Sequence, residues 1–266
     1  MRPVVGQEKL VKILDSYNFQ NVPKTILFLG QEGCGKSWLS GYLAEKLDLD
    51  IVKIGPDITA EKLTEYYQCP IAKMYTINLK DFDEKQQNKI LKFIEEPSSN
   101  MYIILRAESE IGILNTILNR CVKHTFEEYT PEQLQEFAWA IKCNDSRIYQ
   151  ICKTPGQLNN LPDDNLDSIF MLCETIVKAL PNAGYANTLS LLTKINLKDD
   201  VNKIDFDLFF QVLKYVAFDN YVKTNDELSL KIYKYTVKRL TEIFSKSIAK
   251  ESFMLNYLDG LWRVAH

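Results

Sequence analysis

The segment from Gly30 to Ser37 has the residue types and the spacing of a phosphate-binding loop. Gly30, Gly35, Lys36 and Ser37 fit the pattern GxxxxGK[ST], and the loop lies between a short apolar run and the amphipathic stretch KSWLSGYLAEKL. The glycines let backbone N–H groups surround phosphates, the Lys side chain reaches the terminal phosphates, and the Ser hydroxyl ligates magnesium. The pattern predicts nucleotide or phosphate binding. The alternative is a glycine-rich turn that has lost its ligand.

The stretch KMYTIN, residues 73–78, lacks the acidic residues that phosphate-loop ATPases use for hydrolysis. In those enzymes such a strand ends in an Asp that helps to hold magnesium, often followed by a Glu that polarises the attacking water. Here Asn78 and Leu79 stand in their place, so we expect hydrolysis to be very slow. Asp81 or Asp83 is an alternative carboxylate, although Asp83 is better placed to cap the following helix.

Composition places the chain among ordinary globular proteins. It has 266 residues, 46% of them hydrophobic, and a formal net charge of -3, so two or three domains are expected and no general affinity for nucleic acid is indicated. The six cysteines form no CxxC pair, so we expect free thiols and no zinc. The start of the chain does not resemble a signal peptide, and no apolar run approaches the ~18 residues that span a membrane. We therefore expect a cytoplasmic protein with no membrane contact.

Short apolar runs alternate with amphipathic stretches up to about residue 127, and later residues show almost purely helical periodicity. Four runs have the length and composition of buried parallel strands: TILFLG (25–30), DIVKI (50–54), KMYTIN (73–78) and MYIILR (101–106). Two helix starts carry capping boxes, at Asp83 with Gln86 and at Thr130 with Gln133. Pro155 and Gly156 predict a turn between short helices. The fold class is thus α/β with a parallel sheet, followed by helical domains.

Three segments resemble the clamp-loader AAA+ family of bacterial DNA polymerase III, and most of all its delta-prime type. QQNKILKFIEEP (86–97) resembles the family's QNALLKxLEEP, ILNTILNRCV (113–122) resembles LLPTILSRCQ, and VVGQEKLVKIL (4–14) resembles viGQe. The resemblance is dense from residue 4 to about 158, and beyond that it rests on position and helical character. It implies an AAA+ P-loop domain over residues 1–127, a helical lid over 128–165 and a helical collar for oligomerisation over 166–266.

The resemblance also implies a nucleotide site that holds ATP or ADP, with Mg²⁺ on Ser37. The implied contacts to adenine are Val5 and Gly6. The implied contacts to the phosphates are Gly30, Gly33, Cys34, Gly35, Lys36 and Ser37. Arg120 would be an arginine finger that reaches the ATP site of a neighbouring subunit, where a guanidinium stabilises the transition state. The alternative for Arg120 is a surface residue paired with a carboxylate.

Several departures from the family point away from catalysis in this chain. The sensor Thr or Asn after YIIL is replaced by RAES (106–109), the sensor Arg of the lid falls near Gln157, and the family's four-cysteine zinc module is missing. The resemblance then implies a largely non-hydrolysing stator. Its partners would be gamma/tau-type and delta-type subunits, the sliding clamp and, through the complex, primer-template DNA. The alternatives are an active ATPase motor subunit of a divergent clamp loader and a nucleotide-sensing scaffold outside replication.

Overall fold

The chain folds into two compact units. We describe a computed structural model that covers residues 6–140, 147–159, 166–182, 184–190, 194–195, 206–245 and 250–266. The first unit consists of Met1–Tyr149 and Lys153–Asn160, and the second of Gln150–Cys152 and Leu161–His266. The predicted end of the P-loop domain at residue 127 stays a prediction, and so does the end of the lid at 165, which lies outside the described residues.

A parallel sheet of five strands forms the centre of the first unit. The strands are β1 (Thr25–Leu29), β2 (Asp50–Ile54), β3 (Lys73–Asn78), β4 (Met101–Ala107) and β5 (Val122–Thr125). Their order is β2-β3-β4-β1-β5. The α/β prediction and the positions of the four predicted strands are confirmed, but the predicted burial is wrong for β2, where only Ile54 is buried, because this strand lies at the edge of the sheet. The sequence VKHT of β5 is short and mostly polar, so it carries no apolar pattern of its own.

Helices cover both faces of the sheet. The helices that pack on it are α1 (Glu8–Ser16), α2 (Lys36–Lys46), α3 (Ala60–Tyr67), α4 (Glu84–Glu95) and α5 (Asn115–Leu118). They are followed along the chain by α6 (Pro131–Ala140), α7 (Ile148–Ile151), whose residues are divided between the two units, and α8 (Pro155–Asn159). On one face, Phe28 of β1 packs in a cluster with Leu39 of α2, and on the other Leu27 packs with Phe93 of α4. Because side chains alternate along a strand, β1 is buried on both faces.

The predicted capping boxes are present at two helix starts. At α4, the backbone N–H of Gln86 donates to Asp83 at 2.7 Å, and the Gln86 side chain accepts from the Asp83 N–H at 2.8 Å. Thr130 and Gln133 make the same reciprocal pair before α6. The predicted turn at Pro155 is wrong in detail, because α8 begins at that residue. Proline is well suited to a first helical turn, where no N–H is required.

The described elements of the second unit are helices. They are α9 (Leu166–Ala179), α10 (Tyr185–Leu189), α11 (Phe206–Thr224), α12 (Glu227–Ser245) and α13 (Lys250–Ala265), with a 3₁₀ turn at Leu180–Asn182. One face of α11 is buried, and Phe210 packs edge to face on Tyr257 with ring centroids 4.8 Å apart. Phe206, Phe209 and Phe210 of this helix therefore belong to the core of the second unit. Across the described residues, none of the helices has the length and apolar character needed to cross a bilayer.

Gln87 is a buried polar anchor between α4 and the loop before α5. Its side-chain amide donates to the carbonyls of Gly112 at 2.8 Å and Phe82 at 3.2 Å, and its oxygen accepts from the N–H of Leu114 at 3.0 Å. Only 2% of the residue is exposed, so water cannot replace these partners. Gln87 thus holds the loop that leads to α5 and Arg120.

We expect Gln87→Ala to lower the free energy of unfolding by about 1–3 kcal/mol, because buried backbone groups of the loop lose their partners. Urea denaturation measures the change. Asn88→Ala is the matched control, since this neighbouring side chain is exposed and bonds only the Glu84 carbonyl, and it should stay within about 0.5 kcal/mol. Equal stability of both variants would contradict the anchoring role.

Candidate nucleotide site

The phosphate-binding loop joins β1 to α2 and has the backbone shape that its glycines permit. Gly33 and Gly35 have φ angles of 79° and 106°, and Gly35 is the N-cap of α2. Side chains other than glycine rarely adopt such angles. The N–H groups at the start of α2 are therefore left to face a ligand, and the helix adds partial positive charge there.

The Lys36 ammonium is held by its own loop. It donates to the carbonyl of Gly30, to the carbonyl of Gln31 at 2.8 Å, and lies 3.8 Å from the Cys34 sulfur. Burial lowers the pKa of Lys36. Among the described residues, the ammonium therefore has only neutral oxygen partners and a thiol in direct contact, and a phosphate would be a stronger acceptor than any of them.

A cavity of 320 Å³ opens beside the loop at the carboxyl ends of β3 and β4. Its lining residues are Glu32, Gly33, Gly35, Lys36, Ser37, Trp38, Asn78, Lys80, Arg106, Ala107 and Glu108. Parallel α/β sheets bind ligands at this edge, where the strand order changes direction. The volume lies in the range of small-molecule sites.

Some of the predicted phosphate contacts line this cavity and others support it. Gly33, Gly35, Lys36 and Ser37 are in its lining. Gly30 and Cys34 are not, because they pack against Phe126: a Cβ atom on Gly30 would lie 2.8 Å from the Phe126 Cβ. Their role is to hold the loop against β5 and the chain that follows it.

Gly6, one of the two predicted adenine contacts, is not in the cavity lining. Gly6 has a φ of 86° and fits closely against the ring of Tyr129, which a Cβ atom would meet at 2.8 Å. Val5 lies outside the described residues. Tyr129 in turn donates its hydroxyl to the Cys34 carbonyl at 2.7 Å, and burial raises its pKa to about 12. This tyrosine, which no motif pointed to, ties the start of the chain and the approach to α6 to the phosphate loop.

Arg106 at the end of β4 occupies the corner of the cavity next to Ser37. One terminal nitrogen of the guanidinium, Nη1, donates to the Ser37 hydroxyl. Its Nε atom is buried and has no hydrogen-bond partner among the described residues. A buried donor without an acceptor costs about 1–3 kcal/mol, so the guanidinium is not fully satisfied by the protein alone.

The residues at this corner do not fit a magnesium ion. The Ser37 hydroxyl already accepts a bond from a cation, and Asn78 supplies no charge; its amide donates to Asp81 at 2.9 Å. Magnesium sites in phosphate-loop enzymes combine this hydroxyl with a carboxylate. In the part of the chain that the structure describes, no group of three His, Cys, Asp or Glu side chains is placed to hold a metal ion.

Lys80 pairs with two carboxylates on the rim of the cavity. Its ammonium lies 2.7 Å from Glu32 and 3.4 Å from Glu108. The bond from Lys80 lowers the pKa of Glu32, and the two carboxylates share this one ammonium. Because all three side chains are about half exposed or more, these pairs add little to stability. These ion pairs instead reduce the negative charge that a ligand would meet at the rim of the cavity.

The start of α8 is bonded directly to the phosphate loop. Thr154 donates its hydroxyl to the Glu32 carbonyl at 2.9 Å, and the Gly156 N–H donates to the Gly33 carbonyl at 2.9 Å. Gln157, which the resemblance aligned with the sensor of a lid, accepts at its side-chain oxygen from the Lys153 N–H at 2.7 Å. It therefore caps its own helix start and is not in the cavity lining.

Arg120 lies outside the cavity lining, just after α5. Its guanidinium donates to the Thr116 carbonyl at 2.8 Å and is 3.1 Å from Glu95. The side chain is 41% exposed. In the isolated chain Arg120 is thus accessible and has one carboxylate partner, Glu95. A competing anion could replace that carboxylate.

Comparison with known families confirms the resemblance in the middle of the first unit. Residues 63–130 match the family described as DNA polymerase III, delta subunit. The matched segment contains β3, α4, β4 and Arg120. A search of curated proteins returned no match.

Solved structures also show likeness to the chain. A DNA polymerase III gamma subunit-related protein from Thermotoga maritima is 14% identical with a TM-score of 0.48, and the alignment covers 98% of this chain and all of that one. The RuvB Holliday junction branch migration motor of Thermotoga maritima is 15% identical with a TM-score of 0.48, over 82% of this chain and 74% of that chain.

The contact between Gly33 and Gly156 leads to a prediction about the loop. A Cβ atom on Gly156 would overlap the Cα of Gly33, so we expect Gly156→Ala to cost about 1–3 kcal/mol of unfolding free energy, as overpacking does. Gly41→Ala is the matched control, because that helical glycine has nothing within 4 Å, and it should stabilise by about 0.5–1 kcal/mol. Urea denaturation compares the two, and a stabilising Gly156→Ala would show that the contact is absent.

Proposed function

We propose that the chain is a delta-prime-type subunit of a DNA polymerase III clamp loader. In this role it assembles with gamma/tau-type and delta-type subunits and helps to place the sliding clamp on primer-template DNA. The observation that carries the proposal is that the candidate nucleotide site has residues for binding phosphates but lacks residues for cleaving them. The phosphate loop is intact, while Asn78, Leu79 and Arg106 leave the corner that should cleave ATP without catalytic groups.

The family match supports this assignment because it covers the elements that the role needs. Residues 63–130 include the strand end at Asn78, the EEP segment after α4 and the residue proposed as an arginine finger, Arg120. A subunit that keeps a finger for its neighbour and lacks its own cleavage groups acts as a stator. An active motor would instead need Asp81 or Asp83 at the metal, yet Asp81 bonds Asn78 and Asp83 caps α4.

The isolated chain should release no γ-phosphate from ATP above the rate of its Lys36→Ala variant. No carboxylate at the end of β3 is available to hold a metal or to orient water, which ATP cleavage requires. Phosphate release from purified protein, measured with and without Mg²⁺, provides the test. Turnover that Lys36→Ala abolishes would favour the active motor subunit.

In a complex reconstituted with gamma/tau-type and delta-type subunits from the same genome, we expect Arg120→Ala to lower the turnover number for ATP. The loss arises because a guanidinium at the neighbouring γ-phosphate stabilises transition-state charge. Arg120→Lys should lower turnover as well while keeping an ion pair with Glu95, which separates catalysis from folding.

The matched control in that experiment is Lys123→Ala. Lys123 is a nearby surface cation whose partner is Glu110 at 2.8 Å, and its loss should leave turnover unchanged. A complex that forms with normal turnover in Arg120→Ala would remove the finger role. Failure of the chain to join any clamp-loader subunit would instead favour a nucleotide-sensing scaffold outside replication.

A further inference from the structure

We propose that the cavity at the phosphate loop binds nucleotide phosphates without a divalent cation, the Arg106 guanidinium supplying the positive charge that magnesium provides in related sites. The inference rests on the proposed function in one respect, namely that the loop still holds a nucleotide. It does not depend on any partner subunit. Its ligand class is a nucleoside diphosphate or triphosphate in its metal-free form.

The first observation is the bond between Arg106 and Ser37. The hydroxyl oxygen that would ligate magnesium accepts a hydrogen bond from Nη1 of the guanidinium. A metal ion on the same oxygen would lie within a few ångströms of a second cation, and like charges repel strongly at that distance in a partly buried site. The arginine and the metal therefore exclude each other.

The second observation is the register of β3 and β4. Asn78 lies directly opposite Arg106 in the parallel pair. Asn78 replaces a metal-binding carboxylate, and its neighbour Arg106 supplies a positive charge. The Asn78 amide is bonded to Asp81. The two substitutions complement each other, since a carboxylate at position 78 would pair with Arg106 and take it away from a phosphate.

The third observation is the balance of charge around the cavity. Lys36 and Arg106 both line it, and neither forms an ion pair with a carboxylate within 4 Å among the described residues. Lys80 pairs with both acidic rim residues, Glu32 and Glu108. The lining therefore has three cations, Lys36, Lys80 and Arg106, against these two carboxylates, a formal excess of one positive charge, to which the start of α2 adds.

The guanidinium is also chemically suited to the task. Arginine binds phosphate oxygens through paired N–H groups and stays charged at every physiological pH. The buried Nε of Arg106 has no hydrogen-bond partner in the described part of the chain. A small shift that brings the Nε edge to a phosphate oxygen would satisfy this donor and keep the Ser37 contact.

The test is calorimetric titration of the isolated chain with ATP and with ADP. Each titration is performed once in EDTA and once in excess Mg²⁺. We expect the dissociation constants in the two conditions to agree within about threefold. Arg106→Ala should weaken binding in EDTA about tenfold or more, since it removes charge-assisted hydrogen bonds. Lys123→Ala, which removes the same charge outside the cavity, should bind as the unmodified chain does.

A double variant makes the exchange of arginine for metal explicit. Arg106→Ala combined with Asn78→Asp frees the Ser37 hydroxyl and restores a carboxylate beside it, so Mg²⁺ should now strengthen ATP binding by about tenfold or more. Thermal unfolding without nucleotide checks that both variants are folded, and Arg106→Lys provides a milder second variant.

Three results would overturn the inference. The first is that the chain binds nucleotide only when Mg²⁺ is present. The second is that Arg106→Ala and Arg106→Lys both bind nucleotide in EDTA as tightly as the unmodified chain does. The third is that the chain binds neither ATP, ADP nor inorganic phosphate at millimolar concentration. None of them bears on assembly with clamp-loader subunits, which reconstitution measures separately. The proposed subunit role can therefore fail or stand independently of this inference.

Discussion

The parallel pairing of β1, β3 and β4 is the constraint on which the candidate site depends. In a parallel sheet the carboxyl ends of neighbouring strands come to the same edge. β1 therefore delivers the phosphate loop beside Asn78 of β3 and Arg106 of β4, which face each other in register. β1 is buried on both faces, so its side chains pack in both apolar clusters of the first unit.

Charge compensation then decides what the edge of the sheet can bind. Lys80 pairs with both carboxylates of the rim, while Lys36 is held by carbonyls and Arg106 by a hydroxyl. The interior stays positive without a metal ion. At the same corner the end of β3 carries Asn78 and Leu79 where phosphate-loop ATPases carry carboxylates, an arrangement better suited to holding a phosphate than to cleaving it.

The contacts around the loop extend this arrangement to other parts of the first unit. Thr154 and Gly156 bond the loop from α8, and Tyr129 bonds it from the approach to α6. A ligand that orders the loop would also affect these helices, because they share its carbonyl groups. Arg120 is positioned separately, through the buried Gln87 and the start of α5, so its presentation does not depend on the loop.

Local features of this protein could be predicted from its sequence because local physics produces them. The phosphate loop depends on glycine conformation, the capping boxes depend on a spacing of three residues, and four strands have continuous apolar runs. Only the tertiary structure decided which distant groups meet. Arg106 and Ser37 are 69 positions apart, Lys80 and Glu32 are 48 apart, and Thr154 and Glu32 are 122 apart. Such pairs follow from strand order and register, which no local pattern encodes, and they determine whether an intact loop belongs to a working ATPase.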